Sequence, residues 1–459
     1  MAEPHTIPRI EDQAEDTLAL TPDLVRDVLE AGDAETVRAR LAPLHAADVA
    51  DLLERITPDQ RAIILDAIRG VLNPDILAEL DETVRGKVVE QMAPQELARV
   101  VAGLDDDDAA EVVADLDEKT RRDILARLPQ PDRAAVEQAL GYDEHTVGRL
   151  MQRATVVVPA YWTVGETIDY LRADASLPDA FFDIFVVDPR HRPVGSLPLS
   201  RILRNRRPVG LAEIMDGEPV VLPVGMDQEE AAFLFRQQDL ISAPVVDEAG
   251  CLAGVLTIDD VVDVMDEEHE DDILKLGGVS EDDLYHAAAT TTAKRFPWLL
   301  INLGTAILAA VVIAQFAATI ESLVALAVLM PIVASMGGNA GTQTLTVAVR
   351  ALTTKELSTT NAMRIVVKEM LVGGFSGMLF AVIAAVLTFA WFENWLLGAV
   401  IAVAMIVNLL VAGLSGVAIP LVLDRMRIDP AIASSVVLTT VTDVVGFFAF
   451  LGLATVVLL

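Results

Sequence analysis

Hydrophobic and polar positions follow three successive patterns along this chain. In residues 20–142 apolar residues recur three and four apart, in short runs broken by acidic or Pro-bearing turns. HAADVADLLERITPDQRAIILDAI and LDDDDAAEVVADLDEKTRRDILARL are examples. That spacing predicts short amphipathic helices stacked as hairpins in a small superhelix. From 151 to 268 the order becomes strand, amphipathic helix, strand, turn, strand, helix, and it occurs twice. Met151 corresponds to Met215, Pro159 to Pro223, Val187-Asp188 to Val246-Asp247 and Gly195 to Gly254. A charged helical segment, DVMDEEHEDDILKL, follows at 263–276. Beyond it lie five apolar runs, near 297–317, 322–348, 367–391, 396–423 and 431–458. Each is long enough to cross the ~30 Å of a hydrocarbon core.

Charge sharpens this division. The net charge is −34, yet from residue 293 onward eight basic residues face seven acidic ones. The acidity therefore belongs almost wholly to the part before the membrane. All eight basic residues of the membrane part (Lys294, Arg295, Arg350, Lys355, Arg364, Lys368, Arg425 and Arg427) fall before the first span or in alternate connections. The other connections hold Glu321 and Glu393. The positive-inside rule makes the basic side cytoplasmic. The expectation is a multi-pass protein of the plasma (inner) membrane, surrounded by lipid, with its N-terminus in the cytoplasm and its C-terminus outside. An acidic surface argues against nucleic acid as a partner. One cysteine, Cys251, precludes an intramolecular disulfide. The first residues have no apolar core, so no signal peptide is expected.

Two features of the spans bear on chemistry. Asp443 stands in VLTTVTDVVGFFAF with no Lys, Arg or His within ten residues. Insertion of such a residue at a helix centre costs about 2.5–3.5 kcal/mol. Asp429-Pro430 caps the fifth span, which puts Asp443 roughly 20 Å along it, past the bilayer midplane. Either Asp443 is an ion or proton site, or it is protonated or bonded to Thr or Asn of another helix. The second span reads LMPIVASMGGNAGTQTLTVAVR. Its small residues alone would fit tight helix packing, but together with Pro331 and the amide and hydroxyl residues they favour irregular backbone along a polar pathway. No His or Cys lies in any span, which disfavours a soft-metal site and any Ser–His protease. No H-E-x-x-H motif occurs in a span either. No G-x-x-x-x-G-K-[ST] loop exists to hydrolyse ATP, and none is needed: a membrane potential of 100 mV drives a divalent cation inward by roughly 4.6 kcal/mol.

The repeat at 151–268 resembles a tandem pair of CBS domains. The second copy carries the Gly-h-x-Thr-x-x-Asp nucleotide pattern at Gly254, Thr257 and Asp260; the first has Pro198 and Arg201 instead. At most one half-site for ATP, at Thr257 and Asp260, is expected. The acidic helical domain, the CBS pair, SMGGNAGTQ and TTVTDVVGF, in this order along the chain, resemble the MgtE family of magnesium channels over essentially the whole chain. The resemblance implies a homodimer, with Mg²⁺ as the ion carried and bound, and no enzymatic activity. It implies a pore metal site at Asp443, lined by Gly338, Asn339, Thr346 and Thr439. It implies cytosolic regulatory metal sites at Asp51, Asp107, Glu111, Asp227, Glu229, Asp239, Asp260, Asp263, Glu268, Asp271 and Asp429. Thr342 and Ser435 stand where some relatives have amides. A channel closed by cytosolic Mg²⁺ is the expectation; a secondary divalent-cation transporter coupled to Na⁺ or H⁺ is the alternative.

The expected fold is multidomain: an all-α helical-repeat superhelix, an α/β tandem CBS pair and a five-helix α transmembrane domain. Its parts are a disordered N-terminus (1–19), an acidic helical N domain (20–142), two CBS domains (143–210 and 211–268), an acidic connecting helix and linker (263–294), and the transmembrane domain (295–459).

Overall fold

The computed structural model describes residues 28, 33–174, 177, 178, 180–279, 288–357 and 360–459, and of Ala433 the backbone alone. The disorder expected for residues 1–19 lies outside the described residues. Two compact units emerge, Met1–Glu267 and Glu268–Leu459.

The first unit begins with short helices from Ala34–Leu41 to Gln130–Ala139. Their starts are written in the sequence. Thr57 and Gln60 form a capping box, and Asp33, Asp81 and Asp117 accept backbone N–H groups at their helix starts. Helices pack on the next but one along the chain: Pro94–Val101 on Glu118–Arg127, and Asp106–Ala114 on Gln130–Ala139. Each hairpin therefore buries its apolar stripe against a neighbour, as expected of stacked repeats.

The two copies of the repeat each form a sheet in which a parallel strand pair is extended by an antiparallel strand. The first has the order β1 (Val157–Pro159), β2 (Asp183–Val187), β3 (Pro193–Pro198) and β4 (Asp216–Gly217). The second has β5 (Leu222–Pro223), β6 (Ser242–Val246) and β7 (Leu252–Thr257). Parallel pairing of β1 with β2 and β5 with β6 requires a crossover, supplied by helices Val164–Ala173 and Gln228–Gln238. The copies exchange their leading methionines. A methyl group at Gly195 would lie 2.5 Å from Met215 Sδ, and one at Gly254 would lie 3.0 Å from Met151 Sδ. The corresponding glycine of each copy thus seats the methionine that opens the other copy.

Among its described residues the second unit holds five helices long and apolar enough to span a membrane: Ala288–Ala314, Ala325–Thr353, Ala362–Phe392, Trp395–Arg425 and Pro430–Leu458. They are called the first to fifth spans below. The first starts earlier than its apolar run, carries Pro297 inside it, and ends before a separate short helix, Ala317–Ser322. The expectation of irregular backbone in the second span is not met. It is one helix through Pro331 and its glycines. In hydrocarbon a helix satisfies its own backbone. Its glycines serve packing instead: a methyl at Gly341 would press on Leu438 of the fifth span, 3.0 Å away. The third and fourth spans meet even more closely, with Gly373 against the Leu409 carbonyl and Gly413 against that of Glu369.

Candidate functional site

The second span is the least apolar, with a mean hydropathy of 1.3 in its most apolar stretch against 2.1–2.5 in the others. Its polar residues are not scattered. Ser335, Asn339, Thr342 and Thr346 follow at four, three and four residues, which places them on one helix face, and all four are exposed. The opposite face, through Val333, Gly337, Gly341, Thr344, Leu345 and Ala348, is buried. A lipid-facing stripe would be apolar; this open stripe is the polar one. The hydroxyl protons are used locally, Thr342 donating to the Gly338 carbonyl (2.9 Å) and Thr346 to that of Thr342 (2.9 Å). The hydroxyl oxygens thus keep lone pairs for an incoming donor or cation. Gly338 has nothing within 4 Å of where a methyl would stand.

The fifth span runs antiparallel against the buried side of the second span. Leu345, Val349, Ala431 and Leu438 cluster together, and Gly341 abuts Leu438. Extending that register puts Asp443 level with Gly338 and Asn339. Asp443 is half-buried, on one helix line with Ser435 and Thr439. Thr439 donates to the Ser435 and Val436 carbonyls, at 3.1 Å each. Among the described residues Asp443 has no hydrogen-bond or ion-pair partner, and no bond to Thr or Asn of another helix is made among them. The site can offer a carboxylate, hydroxyl oxygens and an amide. These are hard oxygen donors, suited to a hydrated Mg²⁺ that sheds water reluctantly.

A second site belongs to the first unit. The helix Asp106–Ala114 starts in a run of acids and faces Asp260 at the start of Ile258–Gly277. Burial first, then the charges of Asp260 and Asp108, push the Asp107 carboxyl well above its ordinary value. Burial, Glu111 and Asp105 raise Asp108 to about 7. Burial likewise raises Asp260, against the pull of its bond from Thr257 Oγ1 (2.6 Å). Asp105, Asp263 and Glu79 are raised by burial and by other acids. Asp107 Oδ1 is buried without a hydrogen-bond partner. Such a patch attracts protons or divalent cations.

Other expected ligands have local partners. Asp51 pairs with Arg55 (2.5 Å), and Glu111 with the buried Arg85 (2.6 Å). Asp227 caps its helix, accepting from the Glu229 N–H at 3.0 Å. Asp239 closes the same helix with φ 53°. Glu268 and Asp271 lie along Ile258–Gly277, and Lys275 pairs with both Asp271 and Asp429. Among the described residues no three carboxylate, imidazole or thiol groups enclose a metal position. Thr257 and Asp260 meet, but in the first copy Arg201 fills the corresponding place and pairs with Asp216 (2.6 Å). Sequence reasoning did not single out Asp108, Lys275 or Asn408. Asn408 carried a signal, as the one amide inside the apolar stretch of the fourth span.

A multi-pass helix bundle with a polar open face, joined to an acidic helical domain and a CBS pair, defines a regulated membrane transporter rather than an enzyme. Residues 330–453 match the MgtE divalent cation transporter family, 44–145 the MgtE intracellular N domain and 211–267 the CBS domain. The magnesium transporter MgtE of Thermus thermophilus is 30% identical over 440 residues, spanning 95% of this chain and 98% of that protein. That of Bacillus subtilis is 28% identical over 429 residues, spanning 93% and 95%. The crystal structure of the cytosolic domain of the Mg²⁺ channel MgtE in complex with ATP is 29% identical. It covers 53% of this chain and 99% of its own, with a TM-score of 0.50. The chain belongs to the MgtE family of magnesium transporters.

Proposed function

We propose that this protein is a homodimeric Mg²⁺ channel of the inner membrane that imports Mg²⁺ down its electrochemical gradient and closes when cytosolic Mg²⁺ binds its acidic domains. The observation that carries the reading is Asp443, a carboxylate without a partner among the described residues, level with the exposed polar face of the second span. In the dimer two copies of Asp443 hold one hydrated Mg²⁺, with Gly338, Asn339, Thr346 and Thr439 beside the route. Loose retention through water keeps the ion able to leave, as conduction requires. The carboxylates around Asp107, Asp108 and Asp260 form the sensor: unneutralised they repel, and bound divalent cations relieve that repulsion and favour the closed state. We assign the helical domain to 20–142, the CBS domains to 143–210 and 211–268, the connecting helix and linker to 263–294 and the membrane domain to 295–459, with the C-terminus outside. Thr257 and Asp260 supply one half-site for ATP, the ligand named for the solved cytosolic domain.

The test is Mg²⁺ flux into liposomes at clamped voltage, with Na⁺ and H⁺ gradients collapsed. Wild type conducts and Asp443→Asn does not. Flux that vanishes with the Na⁺ or H⁺ gradient identifies a coupled transporter instead. Undiminished flux in Asp443→Asn rejects the pore assignment.

A further inference from the structure

Three membrane helices meet on one buried amide. Asn408, inside the fourth span, is 0% exposed. Its Nδ2 donates to the carbonyl oxygen of Val333 in the second span, at 2.8 Å. That carbonyl is also the one the helix offers to the N–H of Gly337. The amide therefore docks on a helix backbone, and two glycines make the room. A methyl at Gly337 would overlap Asn408 Nδ2; one at Gly446, in the fifth span, would lie 2.8 Å from the same nitrogen. Since Nδ2 faces the carbonyl, the orientation of the amide is fixed. Its Oδ1 is left buried without a hydrogen-bond partner among the described residues.

Stability alone does not account for this residue. An unpaired buried acceptor is destabilising, and an apolar side chain of similar shape would avoid that cost. What the amide supplies is direction: it ties the second span to the fourth and seats the fifth on the same atom. Gly446 lies three residues beyond Asp443, so the seat is less than one turn from the carboxylate. Gly337 adjoins Gly338 and Asn339. We infer that Asn408 is a positioning residue for the ion pathway, fixing the height and rotation of Asp443 against the polar face of the second span. The inference rests on Asp443 being the carboxylate that meets the ion.

The test uses the full-length protein in liposomes, with Mg²⁺ and Mn²⁺ as probes, and compares Asn408→Leu with Asp443→Asn. Asn408→Leu is expected to fold with a melting temperature close to wild type. Its maximal Mg²⁺ flux should fall by roughly tenfold or more, the scale of a misplaced contact group, and its ratio of Mg²⁺ to Mn²⁺ half-saturation should shift. Flux and ratio at wild-type values overturn the inference, while a dead Asp443→Asn leaves the channel reading standing. Lower flux with a lower melting temperature and an unchanged ratio marks a merely structural residue and also overturns it. If Asn408→Leu does not fold, a mutant cycle decides. Gly446→Ala should lower flux in the wild-type background and cause no further loss beside Asn408→Ala. Additive losses reject the shared seat.

Discussion

Lys275 Nζ lies 2.9 Å from Oδ2 of Asp429, the residue whose other oxygen accepts the Ala431 N–H and caps the fifth span. The same ammonium pairs with Asp271, one turn back on its own helix. Burial alone would favour losing the charge, but the bonds to Asp271 and Asp429 outweigh it and hold the ammonium above its ordinary range. Beside it, Asp272 accepts a hydrogen bond from Thr353 (3.0 Å) at the end of the second span. The end of this acidic helix thus touches the cytoplasmic ends of both spans that carry the candidate pathway, and a lysine of the chain supplies the positive charge there.

Removing that charge should change gating. In Lys275→Met the carboxylates of Asp271, Asp272 and Asp429 face one another unneutralised. Flux at low cytosolic Mg²⁺ is expected to rise, because repulsion loosens the contact. Inhibition by cytosolic Mg²⁺ is expected to become steeper, because a divalent ion takes over the place between Asp271 and Asp429. Liposome flux measured against Mg²⁺ on the cytoplasmic face reads both effects. Superimposable curves for wild type and variant would remove Lys275 from the gating mechanism.

Acid should mimic Mg²⁺ at the cytosolic patch. Asp108 moves from an ordinary 3.8 to about 7 in the folded protein, with burial the largest cause. Asp107, Asp105 and Asp260 move the same way. A carboxyl raised on folding holds a proton that the unfolded chain gives up between those two values. Its contribution is therefore present at low pH and lost as pH rises through the folded value. Without divalents, protection of the helix Asp106–Ala114 from hydrogen exchange is expected to be greater near pH 5.5 than near pH 8, after correction for intrinsic rates. Adding Mg²⁺ at the higher pH should restore it. Protection independent of pH in a chelator would show that these carboxyls carry no folding linkage.

The three-part architecture was legible because each part has its own hydrophobic period. Helical spacing, an alternating repeat and long apolar runs come from different physics and do not imitate one another. Asp443 was legible for a related reason: a lone carboxylate in an apolar helix has no cheap explanation. The second span misled because Gly and Pro weaken isolated helices in water. In hydrocarbon the backbone must bond to itself, and Gly337 and Gly341 instead admit Asn408 and Leu438. Lys275 and Arg85 were not legible. Nothing in the sequence tells which acid a lysine or arginine meets when the partner is far along the chain, as with Lys275 and Asp429 or Arg85 and Glu111. The same ignorance left open which acids around Asp107 gather into one patch.

A backbone-to-backbone contact between the third and fourth spans gives a sharp packing test. A methyl group at Gly413 would lie 2.6 Å from the carbonyl oxygen of Glu369, a backbone atom that cannot swing aside as a side chain can. One turn further on, a methyl at Gly416 would lie 2.8 Å from Cβ of Thr344. That threonine donates to Glu369 Oε2 (3.3 Å), and the glutamate is only 7% exposed. Separating the third and fourth spans would therefore loosen one of the bonds to a buried carboxylate, as well as the packing around it. Gly413→Ala is expected to cost about 1–3 kcal/mol, the range for overpacking a tight core, and to lower the melting temperature in detergent. Gly413→Val should prevent recovery of folded protein. Gly304→Ala, at a glycine of the first span with nothing within 4 Å, serves as the control and should leave the melting temperature unchanged. If Gly413→Ala melts with the wild type while Gly304→Ala does not, the third and fourth spans do not cross at this point.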